Sequence, residues 1–315
     1  MTRADTLRTT TGSSGAGGTP PRTSAMTPVV TNVASLLATG KPLALPGVWD
    51  ALSAKLAARA GFRAVLLSGY CTSATRLGAP DFGLLTQTEV VDTAARVCAA
   101  VDIAVIVDID TGYGNALNVE RTVRELGRVG AAGCFLEDQV WPKRCGHMEG
   151  KQVVPLDEYL PKLQAALASR PDPGFHVTAR TDARAVLGLD DAITRARACA
   201  AAGADAVFVE APESADEMAQ VRTSVPADVT LVANMVEHGK TPLRSVAELG
   251  AAGYALVALP VAALLAATHA IEHVFAVMAR DGASAAAANV MRSFPEMNEI
   301  LGLAELYRRE RQWRG

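Results

Sequence analysis

Eight times between Leu43 and Pro260 a short apolar run is followed by a longer amphipathic or Ala-rich segment. No other feature of this chain restricts its fold as much. Runs of this length flanked by turn residues are strand signals, and the longer periodic segments are helix signals. The strands are predicted at Leu43 to Trp49, Ala64 to Gly69, Ala104 to Asp110, Gly133 to Asp138, His176 to Asp182, Ala206 to Ala211, Thr230 to Met235 and Tyr254 to Pro260. Helices are predicted near Ala51 to Ala60, Gln87 to Ala100, Ala116 to Val129, Asp157 to Ser169, Asp190 to Ala202, Ala215 to Val225, Leu243 to Ala252 and Val261 to Ala279. Gly61, Gly130, Gly203 and Gly253 each stand between a helix and the next strand, where glycine adopts the left-handed terminating conformation cheaply. Strands joined only by helical crossovers must run parallel, and eight such units favour an α/β fold closed as a (β/α)8 TIM-type barrel. An open doubly wound sheet is disfavoured, because no GxGxxG turn follows the first strand.

The barrel is assigned to residues 29–282. Residues 283–315 form a C-terminal helical extension with a helix around Asn298 to Arg311, which leaves more apolar helix surface than one barrel needs. Residues 1–28 are rich in Thr, Ser, Gly, Pro and Arg without an apolar leader segment, and are expected to be a disordered tail.

Of the 315 residues 50% are hydrophobic and the net charge is −3 with Arg scattered, so nucleic acid is not an expected partner. A membrane is not expected either: the longest apolar stretch, Ala255 to Ala267, holds Pro260 and falls short of the about 20 helical residues needed to span. Cys71, Cys98, Cys134, Cys145 and Cys199 are odd in number and lack CxxC spacing, which argues against a disulfide framework or zinc site and for a reducing cytoplasm. Four of them are expected to pack as small apolar groups.

Polar residues gather at predicted strand C-termini: Asp108 and Asp110, Glu137, Arg180 and Asp182, Glu210, Asn234. In a barrel these ends form one mouth, the face where such enzymes hold their catalytic groups. Strand alternation places Asp108 and Asp110 on one face. Several close carboxylates repel unless a cation intervenes, and oxygen-only ligands favour Mg²⁺, with Mn²⁺ as a substitute. Beyond Glu137 the segment from Trp141 to Lys151 is dense in titratable and flexible residues and is expected to be a mobile lid. Its Lys143, Arg144, His147 and Lys151 are expected to lower the pKa of Cys145, with Gly146 and Gly150 as hinges.

Five segments carry a resemblance to the isocitrate lyase and phosphoenolpyruvate mutase superfamily: Leu77 to Gly83 (LGAPDFG), Asp108 to Gly114 (DIDTGYG), Glu137-Asp138-Gln139, Lys143-Arg144-Cys145-Gly146-His147, and Ala179-Arg180-Thr181-Asp182. It extends from about Pro42 to Leu303. The lid is similar to that of 2-methylisocitrate lyases, dimethylmalate lyases, petal-death-type lyases and fungal oxaloacetate hydrolases. Carboxyphosphoenolpyruvate mutases resemble Pro142 to Lys151 and Asn234-Met235-Val236-Glu237 too.

The resemblance implies that Asp108 binds Mg²⁺ directly, with Asp81, Asp110 and Glu137 holding its water shell. It further implies that Ser68, Gly69 and Tyr70 cradle a substrate carboxylate and that Arg180 neutralises the reacting fragment. Glu210 and Asn234 would orient the other fragment, with Gly146 and His147 beside the substrate. Cys145 would be the acid, supported by Lys143 and His147, and the chain would assemble as a homotetramer by exchanging a terminal helix. Two positions depart from the pattern: Ile109 replaces an alanine, facing away from the metal, and Ala262 replaces a frequent serine, removing a hydroxyl near the pocket.

The expected activity is cleavage of a carbon–carbon bond in a small 2-hydroxy or 2-oxo dicarboxylate of the 2-alkylmalate, 2-methylisocitrate or oxaloacetate type. A phosphorus–carbon mutase and a non-catalytic barrel that binds partners are the alternatives. The general base is left open between Tyr70 and a carboxylate acting through water.

Overall fold

The computed structural model describes residues 32–314; the tail expected to be disordered, residues 1–28, lies outside the described residues. Eight parallel strands, β1 (Leu43–Val48), β2 (Ala64–Leu67), β3 (Ala104–Asp108), β4 (Gly133–Glu137), β5 (His176–Thr181), β6 (Ala206–Val209), β7 (Thr230–Asn234) and β8 (Leu256–Leu259), pair in sequence order. Leu43 lies opposite Leu256 and Pro46 opposite Leu259, which closes the barrel.

The helices are α1 (Val33–Leu37), α2 (Ala51–Arg59), α3 (Gly69–Leu77), α4 (Gln87–Cys98), α5 (Ala116–Val129), α6 (Leu156–Ala168), α7 (Ala183–Leu187), α8 (Leu189–Ala201), α9 (Ala215–Ser224), α10 (Val246–Ala251), α11 (Ala262–Asp281), α12 (Phe294–Leu301) and α13 (Leu303–Arg314). α5 shows how local sequence sets them. Asn115 caps its first turn through a hydrogen bond from Leu117 N–H, Val119, Thr122, Val123 and Leu126 form the buried stripe, and Gly130 ends it with φ 87°. The other three junction glycines, Gly61, Gly203 and Gly253, also have positive φ.

Strand alternation divides the core in two. Leu43, Leu45, Ala64, Leu66, Ala104, Ile106, Phe135, Ala206, Phe208, Val232, Leu256 and Ala258 fill the barrel interior. Their neighbours, among them Val65, Leu67, Val105, Val107, Leu136, Val177, Val207 and Leu231, pack outward against the helices. Each such side chain contributes roughly 1.5–3 kcal/mol when fully buried. The inner register, continued past the apolar layer toward the strand C-termini, arrives at Ser68, Asp108, Glu137, Arg180, Glu210 and Asn234. The site is the top layer of the barrel's own inner face.

The structure alters several boundaries. Strands end one or two residues earlier than expected, because their last polar residues turn into caps and loops. Gly69 is the clearest case: it opens α3, with Ser68 as the cap between the helix and β2. The helix expected around Asn298 to Arg311 is two helices, broken at Gly302, whose φ is 79°. α11 begins beyond Pro260 and runs for 20 residues, so proline does not interrupt it, and by length and composition alone it is apolar enough to cross a membrane. Only Val277 of α11 is buried, while Ile271, Phe275 and Met278 are exposed.

Candidate functional site

A cavity of about 240 Å³ opens at the C-terminal mouth of the barrel. Ser68, Tyr70, Asp81, Asp108, Cys145, Gly146, His147, Arg180, Glu210 and Asn234 line it. The remaining sequence-derived candidates, Gly69, Asp110, Glu137 and Lys143, lie behind this lining rather than in it. Gly69 packs so closely on two carboxylates that a Cβ there would come within 3.0 Å of Asp108 Oδ2 and 3.4 Å of Asp110 Oδ1.

The start of α3 lies at the cavity, where Ser68 and Tyr70 line it. Ser68 caps the helix by accepting from Cys71 N–H, which leaves the first-turn N–H groups of Gly69 and Tyr70 without intrahelical partners.

The carboxylates form a buried, partly neutralised cluster. Asp108 ends β3, but Asp110 is not on the same strand face: the chain turns at Asp110, which has φ 49°, and its N–H donates to Asp108 Oδ1 at 3.1 Å. The turn, not the pleat, brings the pair together. Ile109 points outward into the helix layer, as expected. Lys143 Nζ lies 2.6 Å from Asp81 and 2.7 Å from Asp110, so its ammonium belongs to the acidic cluster. Burial lowers the Lys143 pKa, yet Asp110, Asp81 and Glu137 outweigh it and hold the ammonium charged. Burial pushes Asp110 up to about 7 against the pull of Lys143. Glu137 is pushed up well beyond the usual carboxylate range, again by burial before any other cause.

That cluster fits a divalent cation. Both Glu137 oxygens are buried and accept no aligned hydrogen bond, and their contact with Arg180 Nη1 is 3.2 Å long. Among the described residues no three His, Cys, Asp or Glu side chains converge tightly enough to ligate an ion unaided. This arrangement suits Mg²⁺, which takes one or two carboxylates and completes its shell with water and substrate oxygens.

Arg180 crosses the site. It bonds Asp182 through Nε at 2.9 Å, approaches Glu137 and Glu210 at 3.2 Å each, and lies 5.3 Å from the centre of the Phe208 ring. Burial raises the Glu210 pKa, but Arg180 and His147 more than offset it and keep Glu210 ionised. Asn234 Nδ2 donates to both Glu210 oxygens at 3.2 Å. His147 Nδ1 accepts from Lys240 N–H at 3.1 Å, so its proton sits on Nε2, 3.3 Å from Glu210 Oε1.

The lid is folded over the cavity. Cys145 N–H donates to the Asp81 carbonyl at 3.1 Å, and Gln139 holds Arg144 from both sides of the peptide. The net shift of the Cys145 pKa is opposite to the expected one: burial dominates and pushes the thiol up to about 11, although Lys143 and Arg180 pull it down. The two lid glycines differ as well. Gly150 has φ 74°, whereas Gly146 is needed for close approach, since a Cβ there would lie 2.5 Å from Arg180 Nη2 and 2.6 Å from Glu210 Cγ.

Further residues complete the site. Leu66, Phe135, Phe208 and Ala258 belong to the inner strand register and were recoverable from it, while Met148, Glu237, His238, Val261 and Leu265 come from loops and the start of α11. Lys151 and Asp182 lie just behind the lining. Ala262 itself is not a lining residue, although Val261 before it is.

The model of the phosphoenolpyruvate phosphomutase family matches residues 33–279. The chain is 44% identical to 2,3-dimethylmalate lyase of Eubacterium barkeri over 271 residues, 86% of this chain and 93% of that protein. It is 45% identical to carboxyvinyl-carboxyphosphonate phosphorylmutase of Arabidopsis thaliana over 273 residues, 85% of this chain and 80% of that protein. A solved structure of oxaloacetate acetylhydrolase with 3,3-difluorooxalacetate superposes with a TM-score of 0.85 at 34% identity, covering 90% of this chain and 96% of that one.

Proposed function

Since this chain belongs to the phosphoenolpyruvate phosphomutase family, we propose that it is a Mg²⁺-dependent lyase that cleaves a carbon–carbon bond in a small 2-hydroxy or 2-oxo dicarboxylate. The observation that carries this is a half-buried thiol kept protonated, Cys145, roofing a cavity floored by Asp108 and walled by Arg180. A carbon–carbon cleavage that yields an enolate needs a proton donor at such a place.

Asp108 would hold the ion, with Asp81, Asp110 and Glu137 around its water shell. When bound, Mg²⁺ supplies Lewis-acid polarisation of the substrate's carboxylate and adjacent oxygen. The N–H groups at the start of α3 orient that carboxylate, and Arg180 stabilises negative charge developing on the leaving fragment. Glu210 and Asn234 fix the geometry of the other fragment through His147. Cys145 donates its proton to the carbanionic carbon while the folded lid excludes water. Tyr70, which lines the cavity, and a carboxylate acting through water both remain as the base that takes the substrate's hydroxyl proton.

The same proposal includes a homotetramer and a cytoplasmic location. All five cysteines are unpaired, in keeping with a reducing compartment. Exposed Ile271, Phe275 and Met278 on α11 offer an apolar face for a neighbouring subunit. A bilayer is a poor occupant, since Leu265, in the first turn of that helix, lines the cavity.

The test is incubation of the purified protein and Mg²⁺ with 2-methylisocitrate, 2,3-dimethylmalate, other alkylmalates, oxaloacetate and phosphonopyruvate, with products followed by NMR. Cleavage of a carbon–carbon substrate is the expected result. Turnover of phosphonopyruvate alone would replace the lyase with phosphorus chemistry.

A further inference from the structure

Lys151 closes the lid segment, and its side chain is 2% exposed. Its Nζ donates to two acceptors, the carbonyl oxygen of Gly146 and, at 2.8 Å, Asp182 Oδ1. We propose that Lys151 is a positioning residue that latches the lid shut over the cavity and ties lid closure to the placement of Arg180. The proposal deepens the lyase assignment and rests on Cys145 as its proton donor.

The two acceptors explain the role. Gly146 directly follows Cys145, so a hold on its carbonyl fixes the backbone that aims the thiol. Asp182 is the carboxylate that also receives Arg180, at 2.9 Å through Nε and 3.2 Å through Nη2. It is braced from behind: Asp182 N–H donates to Asp138 Oδ1 at 2.9 Å, and Asp138 Oδ2 takes Thr181 at 2.6 Å and Arg195 at 3.1 Å. One ammonium thus joins a lid backbone to a rigid anchor that also orients the cation facing the leaving fragment.

Other lid contacts are weaker candidates. Lys240 pairs with Glu149 at 2.7 Å, but that carboxylate is 88% exposed, where an ion pair contributes little. The Lys151 contacts are buried and charge-assisted, the stronger kind. Lys151 itself does not line the cavity, which separates positioning from direct contact with substrate.

The experiment compares wild type with Lys151→Met, which keeps the stem and removes the ammonium, Lys151→Gln, and Lys151→Arg. Iodoacetamide labelling of Cys145 is followed by peptide mass spectrometry, with the other four cysteines as internal controls. Lys151→Met is expected to label Cys145 about tenfold faster or more, the population change that follows loss of one charge-assisted hydrogen bond. The control cysteines should not change. Its kcat should fall while KM moves little, and Lys151→Arg should restore both protection and turnover in part. Should Lys151→Met fail to fold, Lys151→Gln, with circular dichroism matching wild type, carries the same labelling test. Unchanged Cys145 labelling in folded variants would overturn the latch. So would a uniform rise at all five cysteines, since that marks general loosening. Labelling needs no substrate, so a protein inactive on every candidate would sink the lyase assignment and leave the latch to be decided by its own result.

Discussion

Gly146→Ala tests the closed site with the smallest possible change. The added Cβ would lie 2.5 Å from Arg180 Nη2 and 2.6 Å from Glu210 Cγ, whereas ordinary contacts begin at 3.4 Å, so about 0.9 Å of separation must be found. Neither wall yields easily. Arg180 is tied to Asp182, Glu137 and Glu210, and Glu210 is tied to Arg180, His147 and Asn234, all inside the barrel mouth. The displacement therefore falls on the lid and carries Cys145 away from the reacting carbon. A misplacement of roughly 1 Å costs about 10²-fold in rate. The expected result is a kcat/KM lower by about that factor on the best substrate, mainly through kcat, with the melting temperature close to wild type because no core residue is touched. Gly150→Ala is the control: its Cβ would meet only the Arg144 guanidinium, the far end of a long side chain, and the left-handed backbone costs about 1 kcal/mol locally. Full activity in Gly146→Ala, or an equal loss in Gly150→Ala, would refute the close-approach argument.

Cys145→Ser should cut turnover by at least about 10²-fold with substrate affinity nearly intact, as for loss of a general acid; retention of most activity would remove the thiol from catalysis. Because that thiol must stay protonated and burial raises it to about 11, wild-type turnover should not yet fall at pH 9.0, the ordinary thiol value, and should fall as pH rises through about 11. Asp108→Ala should abolish turnover in a folded protein, and EDTA should do so reversibly, with Mg²⁺ restoring it; full activity in metal-free buffer would contradict the assigned ion. Light scattering at micromolar concentration should give a tetramer, and a single-chain mass would dismiss the role given to α11. His176 is buried and held neutral, with its pKa lowered by burial from 6.5 to about 4. The unfolded chain therefore takes up the proton first, so this stabilisation is present above 6.5 and is lost as pH falls toward 4. Thermal melts of His176→Gln should show a flatter dependence across that window, and an unchanged slope would count against it.

The candidate site was legible in part, for identifiable reasons. Asp108, Glu137, Arg180, Glu210 and Asn234 stood out because each follows an apolar strand and is costly to bury without a task. Lys151 did not, since in a loop of basic residues only a contact reveals which one is anchored. The opposite error occurred at Cys145: neighbouring cations suggested a lowered pKa, but desolvation depends on how deeply the folded lid buries the thiol. α3 was missed because the expected strand was carried through Gly69, past Ser68, the residue that follows β2 and caps the helix.

By itself the sequence determined the order and type of the eight units, the terminating glycines, and the polar residues at the strand ends, because these depend on periodicity and on local backbone preference. The turn that brings Asp110 to Asp108, the placement of Lys143 in the acidic cluster and the exposed face of α11 were decided only by the tertiary structure. Each of those joins residues through space, where packing and desolvation, rather than neighbours along the chain, set the energy.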